Sequence, residues 1–150
     1  MTEPILVHGT AIAIERRAIL LRGAPGSGKS DLALRLIDGG ARLVADDQTE
    51  LRRVGDRILA RAPKTIAGLL EVRGVGILHL DRVNEAQLAM LVDLVPSSEV
   101  ERLPEKRFEE VLGLAIPLIT LAAFEVSAAA KVKIAHRELR LSLSPAILVR

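Results

Sequence analysis

The sequence predicts an α/β domain whose sheet is mixed, and three observations predict it. Short apolar runs bounded by turn residues outnumber the stretches with helical spacing. Several of those runs are joined by tight turns, which parallel neighbours cannot use. One run leads straight into a glycine-rich loop that opens a helix.

The elements justify this in order. Val7-His8-Gly9 opens onto Thr10-Ala11-Ile12-Ala13-Ile14, a strand, and Glu15-Arg16-Arg17 reads as a turn. A second strand over 18–21 feeds the glycine loop. Residues 30–37 carry Leu32, Ala33, Leu36 and Ile37 at helical spacing, and Gly39-Gly40 stop that helix. Leu43-Val44-Ala45 is a short buried strand ending at Asp46-Asp47. Residues 49–54 and 57–60 flank Gly55-Asp56 as a hairpin. Residues 69–72 read as extended, Arg73-Gly74-Val75-Gly76 follows, and 77–80 is a strand. Periodicity leaves 88–95 open between strand and helix. The charged segment 96–110, with Pro96 and Pro104, reads as a mobile loop. Two apolar runs flank Pro117, and the alanine-rich stretch 125–136 reads as a helix.

A chain of 150 residues, 49% of them hydrophobic, has the size and composition of one domain with an ordinary core. With two Phe, no Trp and no Tyr, that core must be aliphatic. The net charge of +2 and the scarcity of aromatics argue against nucleic acid as a partner. The absence of cysteine excludes disulfides, zinc-thiolate sites and thiol catalysis, and fits a cytoplasmic setting. The first residues lack a basic stretch followed by an apolar run, so no signal peptide is expected. No apolar stretch approaches the roughly 18 residues that span a membrane.

Gly23-Ala24-Pro25-Gly26-Ser27-Gly28-Lys29-Ser30 fits the pattern G-x-x-x-x-G-K-[ST]. Glycines let the backbone bend so that N–H groups point inward at phosphate oxygens. The helix that follows adds its positive N-terminal end. Lys29 is placed to reach the β- and γ-phosphates of a nucleotide, and the Ser30 hydroxyl to ligate Mg2+. The fixed positions match by chance in roughly one chain in a few hundred, and the strand-then-helix setting sharpens the reading to a nucleotide site. Asp46 and Asp47 end a strand 16 residues beyond Ser30. A carboxylate there suits a phosphotransferase, which needs one to orient the attacking hydroxyl and accept its proton.

Val7-His8-Gly9 before the loop, Leu43-Val44-Ala45-Asp46-Asp47 after it, and Glu71-Val72-Arg73-Gly74-Val75-Gly76-Ile77 later form an order and spacing that resembles the catalytic domain of HPr kinase/phosphorylase. The resemblance runs over about 7–121 and is densest over 8–77. It implies an ATP- and Mg2+-dependent enzyme that phosphorylates a serine of the carrier protein HPr. In reverse, inorganic phosphate would take that phosphoryl group and leave as pyrophosphate. It also implies a fold similar to phosphoenolpyruvate carboxykinases and a homo-oligomer, usually a hexamer. Carried over residue by residue, Asp47 is the proton acceptor, Asp46 orients its neighbours or holds metal, and Glu71 is a metal ligand with Ser30. His8 is the family's functional histidine, and Arg102 its late catalytic arginine, with Arg107 competing for that role. Arg73, two residues after Glu71, would lie on the same side of an extended segment, balancing Glu71 or meeting phosphate. His79 and His136 match nothing in the pattern.

The sequence departs from the family in three places. The His-Gly pair arrives at residue 8, so a short form without the family's N-terminal domain is expected. The family's Gly-Arg-Asn loop has no clear match over 122–131, and the C-terminal end is short. Two other readings stay open: a kinase of small molecules, and a nucleotide-responsive module that regulates a partner without phosphorylating it.

Overall fold

A computed structural model describes residues 3–142. In chain order the elements are β1 (Ile5–His8), β2 (Thr10–Ile14), β3 (Arg17–Arg22), α1 (Lys29–Asp38), β4 (Arg42–Ala45), β5 (Gln48–Val54), β6 (Arg57–Arg61), β7 (Leu69–Val72), β8 (Gly76–His79), β9 (Ala86–Leu94), β10 (Arg107–Val111), β11 (Leu114–Leu121) and α2 (Ala128–Ser142). The expected mixed sheet is present, curled and forked. Its main path runs β1-β5-β6-β9-β3-β2-β4, and β11 with β10 branches from β9.

β9 is where the fork forms. One edge pairs in parallel with β3. On the other edge Ala86 and Gln87 pair antiparallel with β6, whereas 91–94 pair in parallel with β11. A strand has two edges, so β6 and β11 share one by dividing its length. The two branches diverge and enclose a core made by Leu20, Leu51, Ile58, Leu88, Leu91 and Ile116. The opposite face, with Ile12, Ile19, Leu21, Met90 and Val92, packs under Leu32, Ala33 and Leu36 of α1 and Val132 of α2. A bulge keeps both faces apolar. The β3–β9 register skips between Ala18↔Leu88 and Ile19↔Met90, leaving Ala89 as the extra residue and reversing the inward parity of β9. The core is aliphatic, as composition requires: both phenylalanines are on the surface.

α1 starts after Gly28, whose φ of 99° suits glycine, and ends where the Gly39 and Gly40 amides return to the carbonyls of Arg35, Leu36 and Ile37. Leu36 is fully buried, so Leu36→Ala should cost about 2–5 kcal/mol.

Two expectations need correction. The segment 96–110 is not one mobile loop: a 3-10 turn occupies Ser97–Glu99, and residues 107–111 form β10, antiparallel to β11. Its charges masked the strand because β10 is an edge strand, where charge is normal. Arg73 is not extended beside Glu71. Strand β7 ends at Val72, and Arg73 lies at the tip of a hairpin closed by Val75 N–H to the Val72 carbonyl at 2.9 Å. That β7–β8 hairpin is a separate two-stranded sheet, outside the main one. Pro117 interrupts nothing, because it sits opposite Phe108 one residue before the parallel ladder to β9 begins at Leu118.

Candidate active site

β3, β4, β9 and β11 run in one direction, since β2 is antiparallel to both β3 and β4, and β9 is parallel to both β3 and β11. Their C-terminal ends therefore share one edge of the sheet, the usual place for a ligand in α/β folds. The glycine loop follows β3, Asp46-Asp47 follows β4, the segment with Arg102 follows β9, and Ala122-Ala123-Phe124 follows β11.

The loop is shaped as its residues require. Gly26 and Gly28 take φ of 81° and 99°. A Cβ at Gly23 would collide with the Ser27 side chain and lie 3.0 Å from the Leu94 carbonyl oxygen. Lys29 arches back across the loop, its Nζ donating to the carbonyls of Gly23 at 2.8 Å and Ala24 at 3.2 Å. The Ser27 hydroxyl is buried without a hydrogen-bond partner among the described residues.

Asp46 closes on this loop. Its Oδ1 accepts from Ser30 Oγ at 2.7 Å and from Thr10 Oγ1 at 3.0 Å, and its Oδ2 from the Glu71 amide at 3.3 Å. Thus the glycine loop, the doubled aspartate and the Glu71 segment, three stretches singled out in the sequence, meet at one carboxylate. Thr10, which sequence reasoning missed, serves both aspartates. Its buried hydroxyl donates to Asp46 and accepts the Asp47 amide at 3.1 Å. Asp47 has a φ of 65°, and its carbonyl accepts the Gly9 amide at 2.9 Å. That left-handed conformation turns the exposed Asp47 side chain away from the direction taken by buried Asp46. His8, the last residue of β1, is exposed and pairs across the sheet with Gln48, beside Asp47.

The remaining candidates lie farther out. Arg102 is exposed in the segment leaving β9 at the edge that carries the loop. Arg107 is engaged in the sheet, donating to Thr120 Oγ1 at 2.6 Å. Arg73, at its hairpin tip, forms no ion pair with Glu71 among the described residues.

A second charged group went unread in the sequence. Arg22, directly before Gly23, pairs with Asp93 at 2.8 Å and Glu109 at 2.6 Å. The hydrogen bond from Arg22 holds the Glu109 carboxyl below the usual carboxylate range, and the same contact, with Asp93, raises the Arg22 guanidinium further. A signal existed: Asp93 is the one charged residue in an otherwise apolar run over 88–95, and a charge there requires a partner.

The profile of the family described as HPr Serine kinase C-terminal domain matches residues 1–142. The HPr kinase/phosphorylase of Caldanaerobacter subterraneus subsp. tengcongensis is 36% identical over 130 residues, covering 84% of this chain and 42% of the relative. That of Burkholderia lata is 40% identical over 126 residues, covering 77% and 39%. The chain thus spans about two-fifths of the length of these curated relatives. The structure of the Hpr(Ser) kinase/phosphatase from Coxiella burnetii superposes with a TM-score of 0.83 at 25% identity, covering 93% of this chain and 98% of that one. Together with a phosphate loop closed by Asp46, these matches show that the chain belongs to the HPr Serine kinase C-terminal domain family.

Proposed function

We propose that this chain is the catalytic domain of an ATP-dependent protein-serine kinase that acts in the cytoplasm on an HPr-type phosphocarrier. The observation that carries the proposal is the 2.7 Å hydrogen bond from Ser30 to Asp46, which sets an acidic pair against a phosphate-binding loop. The name HPr kinase/phosphorylase borne by the relatives supports the choice of acceptor.

In this reading the loop amides, the N-terminus of α1 and Lys29 grip the nucleotide phosphates. The orphaned Ser27 hydroxyl gains a phosphate oxygen as partner. Asp46, already accepting three hydrogen bonds, is a fixed acceptor that orients Ser30 and the Glu71 segment. The Asp47 side chain has no such engagement among the described residues, and its exposure leaves it open to a substrate. It positions the serine hydroxyl for in-line attack on the γ-phosphorus and takes the hydroxyl proton. Arg102 approaches from the β9 side and offsets charge on the moving phosphoryl group, with His8 flanking the acceptor.

The hydroxyl of Ser30 and the carboxylates of Asp46 and Glu71 are hard oxygen donors that fit Mg2+. Among the described residues no group of three or more His, Cys, Asp or Glu forms a metal cage by itself, which suits an ion shared with substrate phosphates. Bound there, Mg2+ would supply charge neutralisation between the β- and γ-phosphates.

In the opposite direction an oxygen of hydrogen phosphate gives its proton to Asp47 and attacks the phosphoserine phosphorus. The bond from phosphorus to the serine oxygen breaks, that oxygen takes the proton from Asp47, and the product with its new P–O–P bond leaves as pyrophosphate. The serine oxygen is the attacking atom in one reaction and the leaving atom in the other, so a carboxylate placed beside it serves both proton transfers. Mass spectrometry of purified HPr after incubation with the protein and Mg·ATP tests the reading. One added phosphoryl group on a serine is expected. An unmodified HPr, alongside phosphorylation of a small hydroxyl acceptor from a panel, would replace it with the small-molecule kinase.

A further inference from the structure

Resting on the phosphate-loop reading above, we infer that Phe124 is the ledge on which the base of the bound nucleotide stacks. The strand order β11-β9-β3-β2-β4 puts the loop, which follows β3, between two different walls. On the β4 side stand Asp46, Ser30 and the Glu71 segment, all polar. On the β11 side stands Ala123-Phe124. A Cβ at Gly28 would lie 2.6 Å from Ala123 Cβ and 3.0 Å from Phe124 Cζ, so the ring edge rests against the phosphate loop itself. A polyphosphate that presents its terminal phosphoryl group to the polar wall must send its nucleoside toward the other.

The ring is built to stay there. Ala123 is buried. Arg35, in the last turn of α1, donates to the Ala123 carbonyl and, at 3.2 Å, to the Glu125 carbonyl, clamping the backbone on both sides of Phe124. Yet the Phe124 side chain is 70% exposed. A chain with only two aromatic residues, whose core uses neither, sets one beside its phosphate cradle on a hydrogen-bonded backbone and leaves most of the ring exposed. Aromatic faces take bases by stacking, with no hydrogen-bond reading of the base. The site should therefore accept different nucleoside triphosphates with small differences in affinity.

Calorimetric titration of ATP and of inorganic pyrophosphate separates the base from the phosphates. Phe124→Ala should weaken ATP binding about tenfold and leave pyrophosphate binding unchanged. Phe124→Trp should retain ATP affinity. The chain has no other Trp or Tyr, so the emission of that variant should change with ATP and stay constant with pyrophosphate. ATP affinity unaltered in Phe124→Ala, or equal losses for both ligands, overturns the assignment and leaves the phosphate loop standing. Wild-type protein that binds neither ligand removes the phosphate-loop reading and this one with it.

Discussion

Two charged groups sit a few residues apart at the same edge of the sheet, and they differ in what remains unsatisfied. In the Arg22 group, the guanidinium makes four hydrogen bonds to Asp93 and Glu109 and joins β3, β9 and β10 across 71 and 87 residues of chain. Its charges answer one another, and it ties down the branch of the sheet that leaves β9. In the Asp46 group, the inner carboxylate is equally well anchored, but the loop around it keeps a buried hydroxyl at Ser27 without a partner among the described residues and an acid at Asp47 facing outward. A cluster that closes on itself stabilises the fold. One that leaves groups open is fit to take a ligand.

The sharpest way to break this contrast is Asp47→Asn. It should lower HPr phosphorylation by about 10²–10⁴-fold with ATP affinity retained in calorimetry. Activity within a few-fold of wild type would remove Asp47 from the chemistry.

Arg22→Ala should act on the other side of the contrast, costing about 2 kcal/mol in chemical denaturation. That is below the figure for a fully buried pair, since 41% of the Glu109 side chain is exposed. ATP binding at low temperature should persist. The pH dependence follows from Glu109. Its folded value lies below the unfolded 4.5, so the pair's contribution is complete above about pH 4.5 and is lost as pH falls through the folded value. Glu109→Gln should remove that part of the acid-side slope.

Thr10→Val keeps the shape of the side chain and deletes the hydroxyl that serves both aspartates. We expect kcat to fall about tenfold, equivalent to 1.4 kcal/mol of lost positioning, with the nucleotide Kd unchanged. Equal losses in both would make Thr10 a structural residue alone.

The smallest effect concerns His136, which is 2% exposed on α2 with Nε2 unpartnered among the described residues. Burial, followed by the nearby Arg17 charge, holds it below its ordinary 6.5. The unfolded chain takes up a proton first as pH falls below 6.5, so stability declines from there through the folded value. A thermal melt series from pH 7.5 to 5.5 should show that decline, and His136→Gln should flatten it.

The glycine loop was legible as a turn because backbone geometry dictates residue type there: only glycine fits the αL turn at Gly28 against Ala123 and Phe124. The hairpin at Gly55 and the stop at Gly39-Gly40 were legible for the same reason. The doubled aspartate was legible as a pair, and the fold then divided it, since strand geometry and a positive φ at Asp47 send one side chain inward and one outward. What stayed hidden depends on contacts between distant segments. Thr10 looks like any strand residue until Asp46 arrives 36 positions later. β10 looks like a loop until Arg22 accounts for Glu109. Arg73 was misplaced because a local turn at Gly74, with φ of 88°, overrode extension.

The fork at β9 also imposes a timetable on synthesis. Arg22 leaves the ribosome 71 residues ahead of Asp93, and at about 5–20 residues per second that interval is roughly 4–14 s. For all of it, the apolar edge of β3 that will later meet β9 has no partner. The nascent chain must wait for its central strand with an adhesive border open, so the step most exposed to misassembly comes before the cradle is closed, and a holding chaperone would act on that border first.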